Sequence, residues 1–158
     1  MITFDEGNLR FNYRVVGIAI NNGRVLLHKA EDEDFWTLPG GRGELLEPAR
    51  ETRKREMQEE LDVEIRVSRL VWVVENFFTY EAKSCHELAF YFLMELPESS
   101  YVRELTEFPG EDNGVKLTFK WHQLDDLINI TLYPSFLRTG LTRIPDNTEH
   151  IVHTDGEL

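Results

Sequence analysis

The chain has 158 residues, with 29 Asp and Glu against 17 Lys and Arg, for a net charge of −12. That length predicts one domain spanning 1–158, and 41% hydrophobic residues are enough for a core. So acidic a chain lacks the basic patches that nucleic-acid polymers and anionic membranes require, and its one cysteine, Cys85, cannot form an internal disulfide or a zinc cluster.

The opening "MITFDEGNLRFNYRVVGIAI" has no basic start, and its apolar run, Val15 to Ile20, is too short for a signal peptide. No stretch approaches a membrane span, so a cytoplasmic protein without membrane contact is expected. "YRVVGIAI", "NNG" and "RVLLHKA" read as a hairpin turned at Asn22-Gly23. "FWTLPGG" ends in a loop. Residues 48–61 predict a helix, with Pro48 near its first position and a body rich in Ala, Arg, Lys, Glu, Met and Leu. "VEIRVSRLVWVVENFFTY" alternates and is rich in β-branched residues, which predicts a long strand. "CHELAFYFLMEL" predicts another strand, and "EDNGVKLTFKWHQL" a turn and a third. "LDDLINITLYPSFLRTGL" reads as a loop and a helix entered near Pro134, and "EHIVHTDGEL" as a short terminal strand. Strands dominate and two main helices stand apart, so the fold class is mixed α/β (α+β).

The helix at 48–61 carries Glu56, Glu59 and Glu60 within five residues. At 100° per residue, Glu60 lies 40° to one side of Glu56 and Glu59 60° to the other, beside the apolar stripe of Met57 and Leu61. Like charges at such spacings cost roughly 0.2–0.5 kcal/mol per pair. One reading is a solvated acidic face, to which Glu51, Arg55 and Glu59 at spacings of four contribute ordinary helix pairs. The other is a hard-cation site, because Mg²⁺ and Mn²⁺ take oxygen ligands from a few carboxylates. The glycines of "LPGGRGELLE" enter the same helix and leave room for a ligand, although no Gly-Lys-Ser/Thr follows as in a Walker A loop.

Glycine loop, helix start and carboxylates together resemble the Nudix box, G-x5-E-x7-R-E-U-x-E-E-x-G-U, where U is a bulky aliphatic residue. Here it reads Gly41, Glu47, Arg55, Glu56, Met57, Glu59, Glu60, Asp62, Val63. Asp62 alone departs, standing where the family has glycine just past the helix end. Asp tolerates a left-handed conformation better than most residues, so a modest stability cost and no loss of chemistry are expected. "WTLPGG" before the box and "FKWHQLDDL" late in the chain are also similar to the family.

The resemblance implies an α/β/α sandwich around a mixed β-sheet and Mg²⁺- or Mn²⁺-dependent hydrolysis of a pyrophosphate bond in a nucleoside diphosphate linked to another group. The implied metal ligands are Glu56, Glu59, Glu60 and the Gly40 carbonyl. Arg55 would hold the glutamates, and Glu47 would support the site or bind a further cation. Glu56 is the first choice of base, and Glu104, Glu107 and Glu111, taken as a later loop, are the alternatives. Tyr80, 17 residues after Val63, resembles the placement of a tyrosine in dinucleoside-polyphosphate hydrolases, although a strand tyrosine is more often core or sheet surface. Arg14 and His28 are further substrate-binding candidates, each equally readable as structure. His150 and His153, three apart on a strand, would face opposite sides and make a poor metal pair. The expected partner is a small nucleoside diphosphate derivative, with a homodimer open. The alternative reading is a Nudix-fold nucleotide sensor without turnover, and a third is an acidic structural protein with a fortuitous match.

Overall fold

The computed structural model describes residues 1–158. The strands are β1 (Thr3–Glu6), β2 (Leu9–Ile18), β3 (Ile20–Asn21), β4 (Arg24–Ala30), β5 (Gly40–Arg42), β6 (Arg66–Tyr80), β7 (Lys83–Glu95), β8 (Glu107–Asp112), β9 (Val115–Gln123) and β10 (Glu149–Glu157). Helix α1 (Ala49–Leu61) follows β5, and a single turn, α2 (Leu137–Gly140), precedes β10. One sheet runs β1-β2-β7-β6-β10, with β5 also paired to β2; the other runs β3-β4-β9-β8. The β2–β7 and β6–β10 pairs are parallel and the others antiparallel, so the fold is mixed α+β, as the sequence predicts.

Two expectations change in extent. The Asn22-Gly23 turn has positive φ at both residues and joins only the short β3 to β4. β2 is not part of that hairpin. Its residues Val15, Val16, Gly17 and Ile18 are all buried, which suits a central strand, and β5 and β7 take its two edges. The second main helix is also absent. The segment expected to supply it forms a 3-10 stretch, Leu124–Asn129, and the one turn of α2. With Pro134 and Gly140 it is a poor helix former, and it contributes instead by inserting Leu127, Leu132, Leu137 and Leu141 into the core.

The core has two parts. One joins these leucines to Val16, Val74 and Tyr91 of the larger sheet. The other packs Met57 and Leu61 of α1 against Leu26, Phe108, Phe119 and Trp121 of the smaller sheet. α1 is thus clamped beside β8, β2 and β5, and these elements position the site.

Candidate metal and phosphate site

The buried face of α1 is unusual in composition. Beside Met57 and Leu61 it buries Thr52, Arg53, Glu56 and Glu60. Burying a carboxylate is costly unless something compensates its charge. Glu56 and Glu60 are 8% and 5% exposed, and neither Glu60 oxygen has a hydrogen-bond partner. Burial pushes the Glu60 carboxyl up to about 8, although the Arg53 guanidinium opposes the rise.

Asp112, at the end of β8, brings a third carboxylate. Its ligand atom and those of Glu56 and Glu60 lie within 4.8 Å of one another. Three converging carboxylates, one of them with both oxygens unpaired, fit a hard divalent cation. The loop before α1 leaves them space, since a Cβ at Gly41 would lie 2.1 Å from the Glu56 carboxyl carbon. The Gly40 carbonyl borders the same region and accepts a long hydrogen bond, 3.5 Å, from the Arg14 guanidinium.

Glu59 is placed differently. It is exposed, and its Oε2 accepts from Arg55 Nη1 at 3.2 Å. The helical offset explains this: Glu59 lies on the opposite side of Glu56 from Glu60, away from β8. Arg55 ties the outer part of the site together. It donates from Nε and Nη2 to Glu47 at 2.9 and 3.1 Å, and from Nη1 to Glu56 at 2.7 Å. Glu47 also accepts from Thr52 Oγ1 at 2.6 Å, and Arg55 holds its carboxyl below the usual range. These are charge-assisted bonds on a half-buried guanidinium, and they fix one Glu56 oxygen.

The stretch 104–111 does not bring its glutamates to the site. It is largely a strand and not a loop: Glu107 and Glu111 lie on β8, and all three glutamates, Glu104 included, are exposed. Strand alternation turns Phe108, Gly110 and Asp112 inward and Glu107 and Glu111 outward. Sequence reasoning missed Asp112 by one residue, and parity on a strand would have found it. It also missed Arg53, which is fully buried, donates from Nη1 to the Val15 carbonyl at 3.1 Å and leaves Nε and Nη2 unpaired. Arg53 stands three and seven residues before Glu56 and Glu60, a helical spacing that marks one face.

Beside the carboxylates opens a cleft of about 340 Å³, lined among others by Arg10, Arg14, Arg42, His28, Tyr80 and Asp112. Arg14 and Arg42 face each other across the β2–β5 pair. His28 is buried against the Phe119 ring, centroids 5.2 Å apart, with Nδ1 unpartnered; burial and nearby arginines drop its pKa to about 3, so it is a neutral wall of the cleft. The Tyr80 hydroxyl donates to Glu33, and burial, with that carboxylate, raises its pKa. His150 and His153 have separate partners, Glu75 at 2.8 Å and Asp155 at 3.1 Å, and do not converge.

Asp62 ends α1 at φ 53° and ψ 41°, in the left-handed region, and its N–H donates to the Gln58 carbonyl at 2.9 Å. Its side chain additionally accepts from the Gln58 amide, a bond that glycine could not make.

Comparison with known proteins adds the family. The model of the NUDIX domain matches residues 11–142. No curated protein matches the sequence. Among solved structures, an ADP-ribose pyrophosphatase from Streptococcus suis is 16% identical, with TM-score 0.59 over 89% of this chain and 98% of that one. A mutator MutT protein from Bacillus halodurans is 20% identical, with TM-score 0.59 over 90% of each chain. A MutT NUDIX hydrolase from Burkholderia pseudomallei is 23% identical, with TM-score 0.58 over 81% and 95%. At these identities the likeness is one of fold.

Proposed function

Since the chain belongs to the Nudix family of pyrophosphohydrolases, we propose that it uses Mg²⁺ or Mn²⁺ to split the pyrophosphate bond of a small nucleoside diphosphate derivative, and that residues 1–158 act as one domain. The observation that carries this reading is the convergence of Glu56, Glu60 and Asp112 within 4.8 Å, with both Glu60 oxygens buried and unpaired. Glu56, Glu60 and Asp112 would hold the cation, with the Gly40 carbonyl at its edge. Glu59, exposed beside them, is the further ligand available once substrate phosphates arrive.

A bound divalent cation supplies charge neutralisation at the phosphoryl oxygens and acidifies water. The protein supplies the rest. Arg14 and Arg42 receive the anionic diphosphate in a chain that is otherwise strongly acidic. Arg55 fixes Glu56 through one oxygen and leaves the other facing the cluster, where it would ligate the cation or, with Glu60 and Asp112 holding the cation, accept the proton of the attacking water. Glu47 and Thr52 hold Arg55 in that position and so support the site without touching the reacting atoms.

A substrate panel tests the reading: nucleoside triphosphates, ADP-ribose, sugar nucleotides, dinucleoside polyphosphates and capped nucleotides, each assayed with Mg²⁺. Cleavage of a pyrophosphate bond in at least one, abolished by EDTA, is expected. Ligand-dependent stabilisation without turnover on any of them would point to a sensor instead.

A further inference from the structure

The floor of the cleft contains polar groups that the metal site does not use. Cross-strand register places Asn12 of β2 beside Glu87 of β7, Glu87 beside Asn76 of β6, and Asn76 beside His153 of β10. In the next row along the same sheet, Arg14 is followed by the apolar residues Ala89, Val74 and Ile151. Asn12, Glu87 and Asn76 are only 6%, 8% and 5% exposed, and all three line the cleft.

Two members of the row are occupied. Asn12 Oδ1 accepts from Thr3 Oγ1 at 2.7 Å, and the His153 ring is engaged by Ser135 and Asp155. The other two are Asn76 and the buried carboxylate of Glu87. Asn76 Oδ1 is buried with no partner. Burial raises the Glu87 carboxyl, opposed by Arg14, Arg42 and the Asn76 amide. A buried acceptor left unpaired is costly, and a sheet floor is more cheaply built from apolar residues, as Ala89, Val74 and Ile151 build it in the adjoining row. The unpaired Asn76 oxygen, beside the buried Glu87 carboxylate in the cleft lining, is therefore left for a donor from the ligand.

Their position limits what that donor is. They lie two residues along β2 and β7 from the Arg14 row, one strand repeat of roughly 7 Å. A phosphate would sit with the arginines, because a carboxylate and an amide carbonyl repel it. The cleft lining also holds a cluster of aromatic rings, with Phe35 edge-on to Tyr133 and Tyr80 at centroid distances of 5.4 and 6.5 Å. A diphosphate held at Arg14 and Arg42 thus places its nucleoside over Glu87 and Asn76.

We propose that Glu87 and Asn76 are the specificity-determining pair of this cleft, accepting two adjacent hydrogen bonds from the nucleoside half of the substrate. Two groups present such paired donors: the N1–H and 2-amino edge of guanine, and the vicinal hydroxyls of ribose. The inference rests on the pyrophosphohydrolase reading for where the phosphates sit, but its test needs no turnover.

Equilibrium binding of GDP, IDP, ADP and 2′-deoxy-GDP is measured by titration calorimetry in EDTA, for wild type, Glu87→Gln and Asn76→Leu. A guanine contact makes wild type favour GDP over IDP; a ribose contact makes it favour GDP over 2′-deoxy-GDP. Either preference should be roughly 10- to 100-fold, the size of one hydrogen bond to a charged group. In both variants the preference should fall to within about threefold. Melting curves report whether each variant is folded, and the isosteric Glu87→Gln decides the matter if Asn76→Leu is not. Wild type that binds none of the four, or all four alike, overturns the proposal, as does a preference that persists in the folded variants. Failure of the hydrolysis panel with these binding preferences intact would overturn the catalytic reading and leave this one standing.

Discussion

Glu60→Gln should stabilise the protein in the absence of metal. In the folded chain the Glu60 carboxyl is pushed up to about 8, from an ordinary 4.5, chiefly by burial. Because the folded value lies above the unfolded one, Glu60 favours the native state below about pH 4.5. That contribution is lost as pH rises towards 8. At pH 7.5 the three-unit gap amounts to about 4 kcal/mol as an upper bound. Gln keeps the shape and removes the charge. Its amide must still find acceptors, for which Glu56 and Asp112 are the neighbours, and an imperfect fit returns about 1–3 kcal/mol. A net gain of about 1–3 kcal/mol corresponds to roughly 3–10 °C in Tm for a chain of this length. The assay is a set of melting curves in EDTA at pH 5, 6.5 and 8, with the difference growing with pH. Mg²⁺ at ten times its dissociation constant should raise wild type by about 1.4 kcal/mol and the variant by much less. A difference that does not grow with pH, or equal Mg²⁺ responses, would refute the burial argument.

Asp112→Asn should cut turnover by at least about tenfold and weaken the Mg²⁺ response, whereas Glu111→Gln, one residue away and facing solvent, should change neither; steady-state rates at several Mg²⁺ concentrations compare them. Gly41→Ala should lower turnover by about tenfold or more while the protein stays folded, because its Cβ would displace the Glu56 carboxylate; activity and circular dichroism together check this. Asp62→Gly should change stability by less than about 1 kcal/mol and leave turnover unaltered, since relief at the left-handed position is offset by loss of the Gln58 bond; urea denaturation reads it. His28→Leu should reduce acid lability. With a folded pKa of about 3 against 6.5, His28 supports the native state above pH 6.5 and loses that support as pH falls, by up to about 1.4 kcal/mol per pH unit; the gap between urea curves at pH 7 and 4.5 measures it.

Local chemistry made the helix and its glycine entrance legible. The sequence predicts α1 over 48–61 and the structure begins it at Ala49, with Pro48 as the preceding cap. The spacing of Glu56 and Glu60 also signalled a shared face, although not that this face is buried. What stayed hidden depends on distant pairing. "FPGED" reads as a charged loop because Pro109 and Gly110 interrupt it, and only its ladder with Val115–Gln123 makes it a strand that aims Asp112 inward. The β6–β7 hairpin turns on Glu81 and Ala82, both at positive φ, where no glycine or asparagine marks the turn. The central place of β2 follows from its parallel pairing with β7, whose first residue lies 65 positions beyond the last of β2 and has no local signature.

The most direct test of the cation site is diffraction from crystals soaked in Mn²⁺, with the metal located by its anomalous signal. The expected peak lies among Glu56, Glu60 and Asp112, close enough for direct coordination at about 2.0–2.3 Å. Glu60→Gln crystals treated in the same way should show a weaker peak or none. Mn²⁺ found only elsewhere, with these three carboxylates uncoordinated, would contradict the site.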